Sequence, residues 1–164
     1  VGYGLDSNSQ NYIEEVTWYL KGYKDNIYSK QNFYLCERGL STDTTDCMSA
    51  NSGAYDVSTT AKIGLMYASD YLYASSYFAD TATTTASSDY YGNKNWLYKG
   101  YEWTITPDTD SSYSISLVRP TGGLTTNYNS ASYDYGIRPT FYLKSNVNVT
   151  GGTGTFDNPY KLSM

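Results

Sequence analysis

The sequence predicts an α+β fold, with helices first and an antiparallel sheet with long polar loops after them. Three observations lead there. Apolar residues near helical spacing occur early, between Ser9 and Lys30. From Tyr101 onward, short runs instead alternate apolar and polar residues, the period of a half-buried strand. Gly, Pro, Asp and Asn separate those runs, as turns require.

The first helix is expected over Gln10 to Tyr23. Ser9 is its cap, Ile13, Val16, Trp18, Leu20 and Tyr23 form its apolar face, Glu14 and Glu15 lie in its first turn, and Lys21 and Lys24 lie near its end. A shorter helix follows over Asp25 to Lys30, then a cysteine loop from Phe33 to Met48. Ala61 to Tyr67 suits a buried strand, and Ser69-Asp70 opens a helical turn running towards Tyr77. Ala79 to Asp89 has no period and is read as a loop. Tyr101–Thr106 and Tyr113–Val118 are strands, with a turn at Thr121-Gly122-Gly123. Gly136–Leu143 is the strongest strand, and Pro139 places it at an edge or a bulge. A terminal hairpin is expected over Asn146 to Tyr160. All of this fits a single domain over 1–164, with a helical part at 9–30, the cysteine loop at 33–48 and a strand-rich, ligand-facing part at 61–164.

Composition narrows the function classes. The chain has 164 residues, 21 of them tyrosine, and aromatics make up 17% of it, too many for a disordered chain. Charged residues are only 16%, and Ser, Thr, Asn and Gly supply the remaining polarity. Eleven Lys and Arg are scattered singly in a chain of net charge −5, so no basic stripe is present to neutralise phosphates, and nucleic acid is not an expected partner. No apolar run is long enough to span a bilayer, so no membrane insertion by this fragment is expected. The chain opens on Val1 with no export signal, and the reading is a mature or trimmed fragment of an exported protein. With no histidine, Cys36 and Cys47 have too few companions for a metal site. They are read as a disulfide, worth roughly 3 kcal/mol for so short a loop.

Candidate chemistry is sparse. A Ser-His-Asp or Cys-His arrangement is impossible without histidine. Glu102, Asp108, Asp110 and Asp134 are available for a glycosidase-type pair, but no pattern selects two of them, and no catalytic residue is assigned. Gly151-Gly-Thr-Gly154 lacks the lysine of a phosphate loop and is a turn. Asp108-Thr-Asp110-Ser-Ser112 has some character of a calcium loop without its glycine or distal glutamate, so no cofactor is assigned and calcium is kept only as a minor alternative. Asn148-Val-Thr150 fits a glycosylation acceptor in a eukaryotic host. More informative is the stretch from Asp89 to Tyr135. It carries Tyr90, Tyr91, Trp96, Tyr98, Tyr101, Trp103, Tyr113, Tyr128, Tyr133 and Tyr135 among Ser, Asn, Asp and Thr. Binding loops use that mixture: rigid aromatic area with adaptable hydrogen bonding. Trp96 and Trp103 are expected in the core, and Tyr113, Tyr128 and Tyr133 on the loops.

Several stretches in order resemble one family. They are Val16-Thr-Trp-Tyr-Leu20, Phe33-Tyr-Leu-Cys36-Glu-Arg38, Ala61-Lys-Ile-Gly-Leu-Met-Tyr-Ala-Ser-Asp-Tyr71 and Asn95-Trp-Leu-Tyr98. Glu102-Trp-Thr-Ile-Thr-Pro107, Tyr135-Gly-Ile-Arg-Pro-Thr-Phe-Tyr-Leu-Lys144 and Gly151-Gly-Thr-Gly-Thr-Phe-Asp-Asn-Pro-Tyr160 complete the series. Together they look like the globular region of prepilin-type (type IV pilin-like) surface proteins of Gram-positive gut bacteria. That resemblance implies a C-type-lectin-like fold, shared with formylglycine-generating enzymes and with the variable proteins of diversity-generating retroelements. It implies an exposed binding surface between Thr104 and Tyr135. The candidate ligand-binding residues there are Thr104, Thr106, Asp108, Asp110, Ser112, Tyr113, Ser114, Ser116, Asn127, Tyr128, Asn129, Ser130, Ser132, Tyr133 and Tyr135. Two features of such families are missing: the hydrophobic N-terminal helix of a pilus shaft and the C-terminal cysteine pair of the formylglycine-generating enzymes. The expectation is a non-enzymatic, extracellular, cell-surface or pilus-displayed module that binds a surface glycan or protein and is open to diversification. The alternative is a pilin or pseudopilin subunit whose partners are other pilin subunits.

Overall fold

The computed structural model describes residues 5–22, 30–41, 47, 58–74, 97, 100–108, 114–120, 122–127 and 133–164. The first element is a single helical turn, α1 (Ser7–Gln10), capped by Asp6 rather than by Ser9. Asp6 Oδ1 accepts from the amides of Asn8 and Ser9 at 2.8 and 3.0 Å, satisfying donors with no partner inside so short a helix. The Ser9 hydroxyl donates to the same carboxylate, and these bonds hold Asp6 below its usual range.

The long helix expected over residues 10–23 does not form. Val16–Tyr19 is a strand, β1, paired antiparallel with β2 (Ser58–Ala61). Val, Thr, Trp and Tyr favour pleated backbone, and a period of two buries Trp18 while exposing Thr17 and Tyr19. Trp18 Nε1 donates to the Ala61 carbonyl at 3.0 Å, tying the pair together.

The next described helix, α2 (Lys30–Glu37), occupies the start of the expected cysteine loop; most of the helix expected over 25–30 lies outside the described residues. Phe33, Cys36 and Glu37 are buried at the i, i+3, i+4 spacing of one helix face. The strand expected over 61–67 divides: Ala61 closes β2, and Gly64–Leu65 forms β3. Helix α3 (Ala68–Tyr73) begins near Ser69-Asp70 as expected, and Asp70 Oδ2 accepts from the Tyr67 amide at 3.2 Å. The loop expected at 79–89 lies outside the described residues.

A four-stranded sheet has the order β6-β5-β4-β7. Its strands are β4 (Glu102–Pro107), β5 (Ile115–Val118), β6 (Leu124–Asn127) and β7 (Gly136–Ile137). The first three form an antiparallel meander, and β7 runs parallel to β4. The expected turn joins β5 to β6: Arg119 N donates to Gly123 O and Gly122 N to Arg119 O, each at 2.8 Å. Gly122 takes φ 84° there, a conformation that a side chain would strain.

The run 136–143 is not one strand. After β7, Pro139–Thr140 forms β8 and pairs with β3, and Leu143 bridges to Ile13. Pro139 has no amide hydrogen to continue a ladder, so the chain changes partner at that point, and it lies in a two-stranded sheet where every strand is an edge. The terminal hairpin is β9 (Asn148–Gly151) with β10 (Lys161–Ser163).

Helices α2 and α3 and the sheet share one core of Phe33, Cys36, Cys47, Met66, Ala68, Tyr71, Leu72, Val118 and Leu124, with Leu97 against it. The Cys36–Cys47 disulfide lies in this cluster, as the sequence predicts. The architecture is mixed helix and mostly antiparallel sheet. Among the described residues no helix is long and apolar enough to cross a membrane.

Candidate functional site

Strand β4 organises two different surfaces. Its even positions face inward: Glu102 is 7% exposed, and Thr104 and Thr106 are fully buried. Buried hydroxyls need partners, and these have them. Thr104 Oγ1 donates to Ser116 O at 2.6 Å, and Thr106 Oγ1 donates to Glu37 Oε1 at 2.5 Å. Thr106 Oγ1 also accepts from the Ala68 amide at 2.9 Å.

On the other face, four rings converge at the β4–β7 junction. Tyr135 lies between Tyr101 and Tyr133, with centroids 4.5 and 5.4 Å away and planes within 11° of parallel. Trp103 tilts against Tyr135 at 4.9 Å. The backbone fixes this stack: Gly136 N donates to Tyr101 O at 3.0 Å, and Tyr135 N to Tyr133 O at 2.9 Å. Beneath it, Arg138 holds Glu102 in a two-point ion pair, with Nη2 2.8 Å from Oε1 and Nε 3.1 Å from Oε2. Arg138 Nη2 also donates to Leu97 O at 2.6 Å. The outer rings stay accessible, Tyr101 at 43% and Tyr133 at 44%. Loss of hydration pushes the Tyr135 phenol up, and the Tyr101 and Tyr133 phenols beside it push the same way. Tyr135 thus stays neutral near pH 7, and a neutral phenol can both donate and accept.

The expected ligand-facing residues separate into three groups. Tyr133 and Tyr135 meet in the stack. Thr104, Thr106, Asp108, Ser114 and Ser116 are buried, at 6% exposure or less, so their side chains belong to the interior and not to an open surface. The hydroxyls of Ser114 and Ser116 have no hydrogen-bond partner among the described residues. Asp110, Ser112, Tyr113, Tyr128, Asn129, Ser130 and Ser132 lie outside the described residues, and of Asn127 only the backbone is described, at the end of β6. Tyr101 is in the stack but is absent from the candidates that the sequence suggests. Its signal is alternation: it shares the strand face of Trp103, across from Glu102. Trp103, expected in the core, is half-buried, and Trp96 lies outside the described residues.

A second polar centre joins α2 to α3. Glu37 is fully buried, and its Oε1 accepts from the Ser69 amide at 3.2 Å besides Thr106. Arg38 donates to Glu37 Oε2 at 3.2 Å, to Ser69 Oγ at 3.0 Å and to Asp70 Oδ1 at 3.1 Å. Its guanidinium also lies over the rings of Tyr34 and Tyr67, 4.3 and 4.4 Å from their centroids. Burial pushes Glu37 up to about 7, against the opposing effects of Ser69, Thr106 and Arg38. Burial also lifts the Tyr67 phenol, to about 12.

Of the carboxylates considered for hydrolysis, Glu102 is held by Arg138, Asp108 is buried, Asp134 is exposed and Asp110 lies outside the described residues. Among the described residues, no group of three or more acidic or cysteine side chains stands together as a metal site would need. No protein-family model matches the chain, and neither a curated protein nor a solved structure shows significant similarity to it.

Proposed function

We propose that this chain is an extracellular, surface- or pilus-displayed recognition module that binds a glycan or protein through its tyrosine-rich face, on a C-type-lectin-like scaffold. The observation that carries the reading is the stack of Tyr101, Tyr135 and Tyr133 against Trp103, exposed at its outer rings and anchored by backbone bonds and the Arg138–Glu102 pair. Packing fixes these rings before any ligand arrives, so little conformational entropy remains to be lost on binding. Tyrosine rings offer flat apolar faces with hydrogen-bonding edges, a chemistry suited to the C–H face of a sugar ring or to a peptide plane. The disulfide in the core suits an oxidising compartment. Diversification, where it operates, would be tolerated at exposed positions such as Tyr133 and not at Thr104, Thr106 or Ser116, whose side chains are buried.

Binding of the labelled chain to a glycan array and to an array of bacterial and host surface proteins tests this. The expected result is a discrete set of hits, weakened about fivefold to thirtyfold by Tyr133→Ala or Tyr101→Ala, the loss of a stacked anchor of roughly 1–2 kcal/mol. Hits that survive both substitutions unchanged would place recognition elsewhere and end this reading.

A further inference from the structure

The stacked rings also support a chemistry that needs no ligand. Tyr101 and Tyr135 lie with centroids 4.5 Å apart and planes 10° from parallel, at the short end of the range for paired aromatic rings. The backbone holds them there, because Gly136, which follows Tyr135, donates its amide to Tyr101 O at 3.0 Å. Tyr133 and Trp103 brace Tyr135 further, at 5.4 and 4.9 Å. Tyr101 is 43% exposed, so a soluble oxidant can reach its phenol and the ring has room to tilt.

A second tyrosine pair shows what this arrangement adds. Tyr34 and Tyr73 are about as exposed, at 39% and 47%, but their rings meet edge-on, 6.3 Å apart at 85°. Each also has a cation over its face. The Arg38 guanidinium lies 4.3 Å from the Tyr34 centroid, and the Lys30 ammonium lies 4.9 Å from that of Tyr73. A positive charge over a ring opposes the removal of an electron from it. Beneath the stack, by contrast, the charge of Arg138 is balanced by Glu102.

We infer that Tyr101 and Tyr135 form an oxidative crosslinking site, joined ring to ring as dityrosine by a peroxidase-type oxidant. Each phenol gives up one electron and one proton, and the two ring radicals bond through carbons ortho to oxygen. The hydrogen on each of those carbons then moves as a proton to the oxygen of its own ring, which restores both phenols. One hydrogen peroxide, reduced to two waters, takes up the two electrons and two protons. Because the rings are already in contact, coupling is unimolecular and outruns coupling between chains. The new bond ties the start of β4 to the start of β7. Such oxidants belong to the oxidising compartments that the Cys36–Cys47 disulfide suits. The reaction involves only the rings and the oxidant, so it stands apart from ligand recognition at this face.

Treatment of the dilute chain with a haem peroxidase and hydrogen peroxide tests this. Cleavage on the amino side of aspartate places Tyr101 in fragment 89–107, Tyr133 in 110–133 and Tyr135 in 134–156. Mass spectrometry should find 89–107 joined to 134–156, lighter than the two together by two hydrogen atoms, with dityrosine fluorescence in the same fraction. Tandem fragmentation should locate the bond at Tyr101 and Tyr135. The yield per chain should not change with protein concentration, and it should exceed that of a Tyr34–Tyr73 link about tenfold or more. Tyr101→Phe and Tyr135→Phe keep the ring and remove the phenol, so each should abolish the link, whereas Tyr133→Phe should retain it. Absence of the 89–107 to 134–156 link from the oxidised wild type overturns the inference. So does a link that persists in Tyr101→Phe, one lost in Tyr133→Phe, a yield that rises with concentration, or a Tyr34–Tyr73 link of equal yield.

Discussion

Glu37 makes the stability of this fold depend on pH in a direction opposite to that of most carboxylates. In the unfolded chain it titrates near 4.5, and burial in the folded chain pushes it up to about 7. Between those values the folded state holds a proton that the unfolded state has released. Stability from this group is therefore fully present below about 4.5 and is lost as pH rises towards about 7, after which it levels off. A tenfold difference in proton affinity between the two states is worth roughly 1.4 kcal/mol, which puts the loss on the order of 3 kcal/mol. Other groups titrate as well, so the wild-type curve alone does not isolate Glu37.

Glu37→Gln isolates it. The amide oxygen of glutamine can still accept from Thr106 Oγ1 and the Ser69 amide, the bonds now made to Oε1. It carries no titrating proton, so the difference in unfolding free energy between wild type and variant reports Glu37 directly. Urea unfolding at closely spaced pH values from 4 to 8, on both proteins, measures that difference. It should move against wild type by about 3 kcal/mol from the acid end to the alkaline end, equivalent to roughly 6–12 °C in Tm for a domain of this size. Two parallel curves across the whole range would mean that Glu37 keeps one protonation state throughout, and burial would then not govern its titration.

Three further perturbations test the scaffold. Arg138→Ala leaves the Glu102 carboxylate, whose side chain is 10% exposed, without its two-point partner; it should cost about 3 kcal/mol in denaturant unfolding and loosen Tyr101, the next residue along. Gly64→Ala places a β-carbon 2.6 Å from the Trp18 ring, so it should destabilise by roughly 1–3 kcal/mol and shift the Trp18 fluorescence as the indole is displaced. Cys47→Ser opens a disulfide that closes an eleven-residue separation, and melting with and without reductant should show a loss of roughly 3 kcal/mol, with the variant insensitive to reductant.

The parts of the fold that are legible in the sequence are those fixed by near neighbours. Alternation locates β4 and β5, Thr121-Gly122-Gly123 locates the turn from β5 to β6, and Ser69-Asp70 locates α3. The failures share one cause, a partner far along the chain. Residues 13–23 carry helix-like charges at both ends, but Trp18 bonds to Ala61, 43 positions away, and local spacing cannot report that. The run 136–143 reads as one strand, yet Gly136 pairs with Glu102 and Pro139 with Leu65, on two different sheets. On β4 the two threonines face inward, and the reason is chemical. Trp103 and Ile105 look like the inner face and Thr104 and Thr106 like the outer one. The structure reverses them, because Ser116 O and the buried Glu37 satisfy the threonine hydroxyls. Composition is enough to name Tyr133 and Tyr135, but their stacking on Tyr101 requires the parallel pairing of β7 with β4.

That reversal bears on how the proposed surface would recognise anything. Charged residues are only 16% of the chain, and two of the ion-pair systems are committed to joining distant elements: Glu37 and Arg38 with Asp70, and Glu102 with Arg138. Neither group presents a free field to solvent, since each cation already has its carboxylate within 3.2 Å. Among the described residues, the tyrosine face beside them is built of aromatic rings, and no ion pair joins those residues. Long-range steering of a charged partner needs a surface potential, and among the described residues beside the stack a single exposed carboxylate, Asp134, contributes to one. Association at the stack is therefore expected to proceed at the ordinary rate of two docking patches, with differences between ligands residing in how fast they leave. Added salt should then change affinity at the stack little. A salt titration of that affinity checks the argument without any substitution: a steep loss as salt rises would mean that charge, not ring contact, carries the binding.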